Sequence, residues 1–345
     1  MLDSVLIVGA TSGHSLESSY HRAFEQLGCA VHRWDPRVAL NQLARGGALG
    51  RFFSVFVHVE PWLRKANLEL LRLADELRPD LILVIGTEGV RAGTLAQVRV
   101  RAPESLIYSV YPDSPHNLDS DRIHCLPFFD RVTASSPAWV DAFSRLGASQ
   151  VAYQPFAADP HLHSPAQPDT SRPEFSHDVA FIGTWRPERE AFLEHLADLD
   201  LCLWGSRYWS DRCRRGSPLP KRWGGRSITG DEFSRVCGAS RILLNVMDPA
   251  TWPGPNMRTF EQPACRAFSL VTRTPALLEL FTEGETIACF DSVDEARDKI
   301  RYYLSHDGER QRIAQASYRF VIEGGHTYVD RARRLAEWVR QDRRA

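Results

Sequence analysis

Lysine is nearly absent from this chain. Among 42 basic residues it occurs only at Lys65, Lys221 and Lys299, so arginine carries almost all the positive charge. Arginine is the better fork for bidentate phosphate or carboxylate binding, yet biased genomic base composition explains such an excess more simply. The count therefore promotes no single arginine. Paired cysteine motifs are missing as well. The seven cysteines are odd in number and never spaced as CxxC, which disfavours a zinc ribbon or a disulfide framework and points to a reduced, cytoplasmic protein. No run approaches the ~20 apolar residues of a membrane helix. The opening MLDSVLIVGATSGHS carries no basic leader and is expected to enter a strand at once rather than act as a signal peptide. A formal net charge of -1 speaks against a whole-chain polyelectrolyte role on nucleic acid. What is present is ordinary: 345 residues, 43 % hydrophobic and 25 % charged, fit for two soluble domains of usual size.

Short apolar runs alternate with amphipathic stretches along both halves. Val5 to Gly9 reads as a buried strand, Leu16 to Leu27 as a helix with Tyr20, Ala23 and Phe24 on one face, and Ala30 to Trp34 as the next strand. Leu68 to Leu77 reads as a helix before the strand Leu81 to Gly86, and Ser105–Tyr111 and Arg131–Ala134 supply two more strands. From Ala157 to His177 the texture is rich in proline, serine and histidine without periodicity, so a linker is expected over 158–177. The alternation restarts at Asp178, with strands at 178–183, 201–204, 241–246, 267–271 and 286–290, and closes on a helix over 327–340. Repeated βα units predict parallel sheets covered by helices. Two such domains, 1–157 and 178–326, would place a ligand cleft at the carboxyl ends of their strands.

Several motifs fail on inspection. The loop Gly9-Ala10-Thr11-Ser12-Gly13-His14 lacks the third glycine of a dinucleotide fingerprint. A short-chain dehydrogenase needs a tyrosine four residues before a lysine, and Pro61, Ser217 and Glu295 stand there instead. There is no P-loop and no Gly-x-Ser-x-Gly elbow. His14 remains a candidate base or hydroxyl ligand, or else a cap of the following helix. Asp119-Ser120-Asp121 has the look of a metal-holding Asp-x-Asp, but its polar setting, HNLDSDR, favours a solvated loop. The run 207–226, RYWSDRCRRGSPLPKRWGGR, interleaves basic and aromatic residues. That suits a single-stranded nucleic acid groove, the base and phosphates of one nucleotide, or a solvated loop. Its place after a strand favours the nucleotide.

The sharpest signal is Pro253-Gly254-Pro255-Asn256-Met257-Arg258-Thr259-Phe260-Glu261-Gln262-Pro263-Ala264-Cys265. A Gly-Pro turn before a helix start presents free N–H groups and the positive helix end to an anion. Arg258 in the first turn adds a fork for phosphate. Glu261 is placed to accept two hydrogen bonds from vicinal hydroxyls such as those of ribose, or to complement the helix N-terminus.

This segment and its continuation, Ser269–Thr272, Thr274-Pro275-Ala276-Leu277-Leu278-Glu279-Leu280-Phe281 and the Asp-rich helix after Ser292, resemble in order the donor domain of group 1, family 4-like glycosyltransferases. They are most similar to the branch containing the spore-maturation protein CgeB. The FDRV near Arg131, the AADP after Phe156, FIGTWRPERE and LWGSRYW agree. The resemblance implies a GT-B fold: α/β, two Rossmann-like domains facing across a cleft, with the C-terminal helix (327–345) crossing back to the first. It implies a sugar transferase that uses a nucleotide diphosphate sugar, UDP-linked for instance, as co-substrate, retains configuration and needs no metal or other cofactor.

By carry-over from the family, Glu261 binds the ribose, and Asn256, Met257, Arg258 and Thr259 approach the sugar and diphosphate. Gly183, Thr184 and Arg186 form the phosphate-side turn, while Trp204, Gly205 and Trp223 flank the base. Asp113 and His116, in Tyr111-Pro112-Asp113-Ser114-Pro115-His116, are candidates to contact the transferred sugar or acceptor, or simply form an Asx-type turn. One departure stands out: the family's Glu-x7-Glu pair has Pro253 in its first place. That keeps open a second reading, a GT-B scaffold that binds nucleotide or glycan without catalysis. The acceptor is not legible. Arg37, Arg45, Arg51, Phe52 and Phe53 suit a peripheral membrane contact or an ordinary surface helix, and a monomer or a homodimer fits equally.

Overall fold

The computed structural model describes residues 2–38, 60–86, 89–167 and 171–344. The chain divides into two units, Met1–Gln154 with Tyr328–Ala345, and Pro155–Thr327. The first holds strands β1 (Ser4–Val8), β2 (Ala30–Trp34), β3 (Leu81–Ile85), β4 (Leu106–Tyr111), β5 (Arg131–Ala134) and β6 (Val151–Tyr153). They pair in parallel in the order β2-β1-β3-β4-β5-β6. β3, Leu-Ile-Leu-Val-Ile, is buried at every position, as an unbroken apolar run in a sheet covered on both faces must be. Its helices are α1 (Leu16–Gln26), α2 (Glu60–Leu77), α3 (Ala92–Arg101), α4 (Ser120–Cys125) and α5 (Val140–Arg145). The second helix begins eight residues before the Leu68 read from periodicity, at Glu60.

The second unit holds β7 (Val179–Ile182), β8 (Leu201–Trp204), β9 (Ile242–Asn245), β10 (Ser269–Thr272) and β11 (Ala288–Phe290), again all parallel, in the order β11-β10-β9-β7-β8. Its helices are α6 (Pro187–Glu194), α7 (Tyr208–Asp211), α8 (Asp231–Ala239), α9 (Arg258–Ala264), α10 (Pro275–Leu278), α11 (Val293–Ser305) and α12 (Asp307–Glu323). The stretch expected to be a linker, 158–177, belongs to this unit instead. Ala158, Asp159, His163 and Phe175 are buried in it, and Ala158 donates to the carbonyl of His326 at 3.0 Å. Composition misled because buried side chains here are separated by prolines and polar residues that break any period.

The last helix, α13 (Tyr328–Asp342), returns to the first unit. Its stripe of Tyr328, Ala332, Leu335 and Val339 is buried, with Tyr328 edge-on to Tyr20 at 5.2 Å. Polar contacts fix its end: Arg131 donates to Asp342 at 2.7 Å, the Tyr108 hydroxyl donates to the same carboxylate, and Arg343 reaches Asp80 at 2.7 Å. Asp80 also accepts the N–H groups of Asp3 and Ser4, so one carboxylate ties the first strand, the third strand and the chain end.

In the second unit a charge network closes the β10–β11 edge. Arg273 donates to Glu283 at 2.7 Å and to Glu295 at 3.0 Å and also pairs with Asp291, while Lys299 lies 3.0 Å from Glu283 and 2.9 Å from Glu295. Hydrogen bonds from Arg273, helped by Lys299, hold Glu283 and Glu295 at about 2, below the ordinary 4.5. A depressed folded-state value means that this stabilisation is complete above the unfolded value and is lost as pH falls toward the folded one. Arg273→Met is therefore expected to cost about 1–3 kcal/mol near pH 7, a charge-assisted bond's worth. In urea titrations at stepped pH, its deficit against wild type should shrink between about pH 4.5 and 2.

Candidate functional site

In an open parallel sheet the ligand crevice opens where successive crossovers run to opposite sides, outside the carboxyl ends of the strands. The order β11-β10-β9-β7-β8 puts that point between β7 and β9. The loops leaving these two strands are tied together by arginine. Arg186 donates to Asp248 at 2.9 Å, and Arg189, three residues on in the first turn of α6, donates to the carbonyl of Val246 at 3.0 Å and to that of Thr184 at 3.0 Å. Arg258, opening α9, donates to the carbonyl of Ile182 at the end of β7, 3.2 Å away. Arg189 is partly buried, lies 5.6 Å from the Phe181 ring and, among the described residues, forms no ion pair with a carboxylate. Burial holds its guanidinium below the usual arginine range; the charges of Arg186 and Arg258 add to that, and Asp248 opposes it. A cation kept among cations, with only carbonyl partners, favours an incoming anion.

Beside this cluster sits Glu261, 7 % exposed. Its Oε2 accepts from Nη1 of Arg258, and its Oε1 lies 3.7 Å from Nε2 of His163. It stands in the first turn of α9, where a carboxylate also complements the helix N-terminus, and its buried oxygens keep lone pairs that a diol could use. Asn256 is engaged within the protein: it forms a reciprocal amide pair with Asn245 (3.0 and 2.8 Å), and its Oδ1 accepts from the N–H of Thr259 at 3.3 Å. Thr259 is wholly buried and also bonds this pair. Both residues fix the start of α9 rather than touch the sugar, a correction to the sequence reading. The helix has seven residues, and the Thr259 N–H is already engaged, so its N-terminus has fewer open donors than the sequence predicts, while the Arg258 guanidinium stands beside it. Met257, 41 % exposed, stays open to solvent.

Other candidates divide in the same way. The Gly183 N–H donates to the carbonyl of Trp204 and its own carbonyl accepts from the Trp209 indole, both at 2.9 Å, so its backbone is not free for phosphate. Thr184 is exposed in that turn. A Cβ at Gly205 would lie 2.2 Å from the Gly183 carbonyl oxygen, which is why glycine stands there. Trp204 is 1 % exposed, edge-on to Phe175 at 5.5 Å; it is a core residue and cannot flank a base. Trp223 is half-buried and donates to the Gly205 carbonyl at 3.0 Å. The basic run is largely engaged internally. Arg207 pairs with Asp211, Arg214 with Glu194 and Arg226 with Glu232, Arg222 donates to the carbonyl of Ala197, and Arg212 stacks on Tyr208. Such pairing leaves little of the continuous positive groove that a nucleic acid strand needs.

In the first unit the loop after β1 is held by carboxylates. Ala10 N–H donates to Glu17 at 2.7 Å and Thr11 N–H to Asp35 at 3.0 Å, and a Cβ at Gly9 would lie 2.6 Å from Glu17. A dinucleotide phosphate would meet that negative charge, in keeping with the failed fingerprint. His14 is exposed on this loop, and Ser15, not His14, caps α1. Asp113 accepts from Ser114 N–H and from the Asn117 amide, both at 2.7 Å, so both its oxygens serve the turn. These bonds form the Asx-type turn that is the alternative reading of this segment. His116, exposed, follows in the same turn. Asp119 caps α4 by accepting from Arg122 N–H at 2.9 Å, which accounts for the Asp-x-Asp pattern. Arg45, Arg51, Phe52 and Phe53 lie outside the described residues, and Arg37 pairs with Asp35 at 3.1 Å. No helix among the described residues is long and apolar enough to cross a membrane.

Sequence reasoning missed Arg189 and His163. The first had a signal: two arginines three apart on one helix turn after a glycine. The second had none, being one histidine in a stretch with linker composition.

Residues 186–337 match a family model described as glycosyl transferase-like. No curated protein matches by sequence. Solved structures agree over nearly the whole chain. HepE of Anabaena, in complex with UDP, is 14 % identical, covering 98 % of this chain and 100 % of that one with a TM-score of 0.63. Sucrose-phosphate synthase of Thermosynechococcus elongatus is 13 % identical, covering 98 % of both chains at 0.70. A glycosyltransferase of Rickettsia africae is 12 % identical, covering 99 % of this chain and 98 % of that one at 0.68. The two-sheet α/β fold is that of GT-B glycosyltransferases, and together with the family match it supports a transferase enzyme.

Removing one half of a buried amide pair strands the other half. Asn256→Ala should therefore destabilise the protein by about 1–3 kcal/mol in urea unfolding, while Met257→Ala, at an exposed neighbour, should stay within about 0.5 kcal/mol of wild type.

Proposed function

We propose that this protein transfers a sugar from a nucleoside diphosphate sugar to an acceptor, retaining configuration and without a metal ion. The observation that carries the reading is the convergence of Arg186, Arg189 and Arg258 at the β7–β9 switch point, beside a buried carboxylate at Glu261. When the bond from the anomeric carbon to the diphosphate oxygen breaks, negative charge grows on the departing diphosphate. Fixed guanidinium groups aimed at that charge lower the barrier without reorganising at the moment of reaction. Such a cluster fills the role a divalent cation fills elsewhere. Glu261 accepts hydrogen bonds from the ribose diol, and Arg258 fixes one of its oxygens.

UDP is the first nucleotide to try, because HepE was solved with it bound. Kinship with the CgeB branch is proposed on the Arg258–Glu261 and Thr274–Phe281 segments. The acceptor side is assigned to the first unit, with His14 and His116 as the exposed imidazoles of its strand-end loops. Cytoplasmic residence goes with this reading.

Pro253 at the place of the family's first carboxylate favours a second reading, donor binding without transfer. The test separates the two. A ligand that binds only the native state raises the melting temperature by mass action. UDP, ADP and GDP and their hexose conjugates are screened by thermal shift with wild type and Glu261→Ala, and the stabilising conjugate is then followed for release of free nucleoside diphosphate. One nucleotide should stabilise wild type by a few degrees and Glu261→Ala by much less, with turnover of its sugar conjugate. Stabilisation without turnover in the presence of cell-extract acceptors supports the binding module. No stabilisation by any of them contradicts the donor site.

A further inference from the structure

We propose that His163 is a positioning residue for Glu261, holding the buried carboxylate in the orientation that takes the ribose diol. This rests on the donor reading above. His163 is 8 % exposed, and the segment around it is pinned rather than slack. The N–H groups of Leu162 and His163 both donate to the Asp159 carbonyl, at 2.9 and 2.8 Å. Ser234 on α8 accepts from Ser164 N–H at 3.3 Å and donates to the Leu162 carbonyl at 3.2 Å.

The ring's own bonds decide which nitrogen carries the hydrogen. Nδ1 accepts the Asp159 N–H at 3.2 Å, and an accepting ring nitrogen is unprotonated, so the neutral imidazole carries its hydrogen on Nε2. That atom faces Glu261 Oε1 at 3.7 Å. The separation is longer than a formed hydrogen bond, and such bonds commonly tighten when ligand closes a site.

Phe233 makes a shared wall. His163 stands edge-on to it at 5.3 Å, and the Arg258 guanidinium lies over it at 4.8 Å. Glu261 is thus flanked by Arg258 on Oε2 and His163 on Oε1, with one lone pair of each oxygen left for a hydroxyl. A phenyl ring at 163 keeps the volume and loses both the donor and the Asp159 acceptor. A glutamine keeps an N–H near the place of Nε2.

The account is tested by titrating full-length wild type, His163→Phe and His163→Gln with UDP, ADP and GDP and with their 2′,3′-dideoxy forms. For the nucleotide that binds wild type, His163→Phe should weaken the ribose form by about tenfold, one hydrogen bond's worth. It should leave the dideoxy form unchanged, and His163→Gln should recover most of the loss. An equal loss on both forms, or no loss on either, overturns the proposal, because a purely structural histidine does not distinguish the two sugars. His163→Ala is read in the same way if the phenyl variant does not fold. Wild type binding none of the three nucleotides overturns the donor reading itself, a result visible before any variant is made.

Discussion

A guanidinium packed against a phenyl ring, bonded to two carbonyl oxygens and, among the described residues, in direct ion pair with no carboxylate, is costly for a folded chain to keep. Arg189 is in that position, and burial and two neighbouring arginines push its charge in the unfavourable direction. Desolvating a cation without a counter-ion lowers stability, and a surface substitution would relieve it at once. Asp248 offsets part of that cost from a distance, and the remainder makes sense if an anionic ligand completes the pairing. The sheet supplies the reason for the place: the crossover after β7 runs to β8 on one side and the crossover after β9 runs to β10 on the other, so the loops after β7 and β9 diverge and leave room there. Arg186 and Arg189 span that gap from the β7 side to Asp248 and Val246 on the β9 side.

The residues around the cluster divide into those that hold the frame and those left at the crevice. Asn245, Asn256 and Thr259 satisfy one another and set where α9 begins, which in turn sets where Arg258 and Glu261 stand. Trp204, Trp209 and Gly205 form the floor under the β7 turn. None of them needs to touch substrate to matter, since a small displacement of an oriented charge lowers its electrostatic effect.

Much of the fold was legible in the sequence, because strands buried on both faces announce themselves as apolar runs and each was followed by a glycine or a turn. The stripe of Tyr328, Ala332, Leu335 and Val339 marked the last helix for the same reason. Helix α9 was legible from Gly-Pro chemistry and from the RTFE resemblance. Roles were harder. Asn256, Trp204 and Asp113 have side chains suited to ligand contact, and only their partners show that Asn245, Phe175 and the 114–117 turn already occupy them. His163 was invisible, because nothing local links it to Glu261, 98 residues on; the contact is made by tertiary packing alone.

The central claim is that the arginine cluster is an anion site for a diphosphate, with Arg189 at its heart. Calorimetric titration of UDP and of uridine into wild type and Arg189→Met tests it most directly. The account predicts that wild type binds UDP far more tightly than uridine and that Arg189→Met removes most of that difference while leaving the weak uridine affinity unchanged. An Arg189→Met protein that is folded and still binds UDP as wild type does would contradict it.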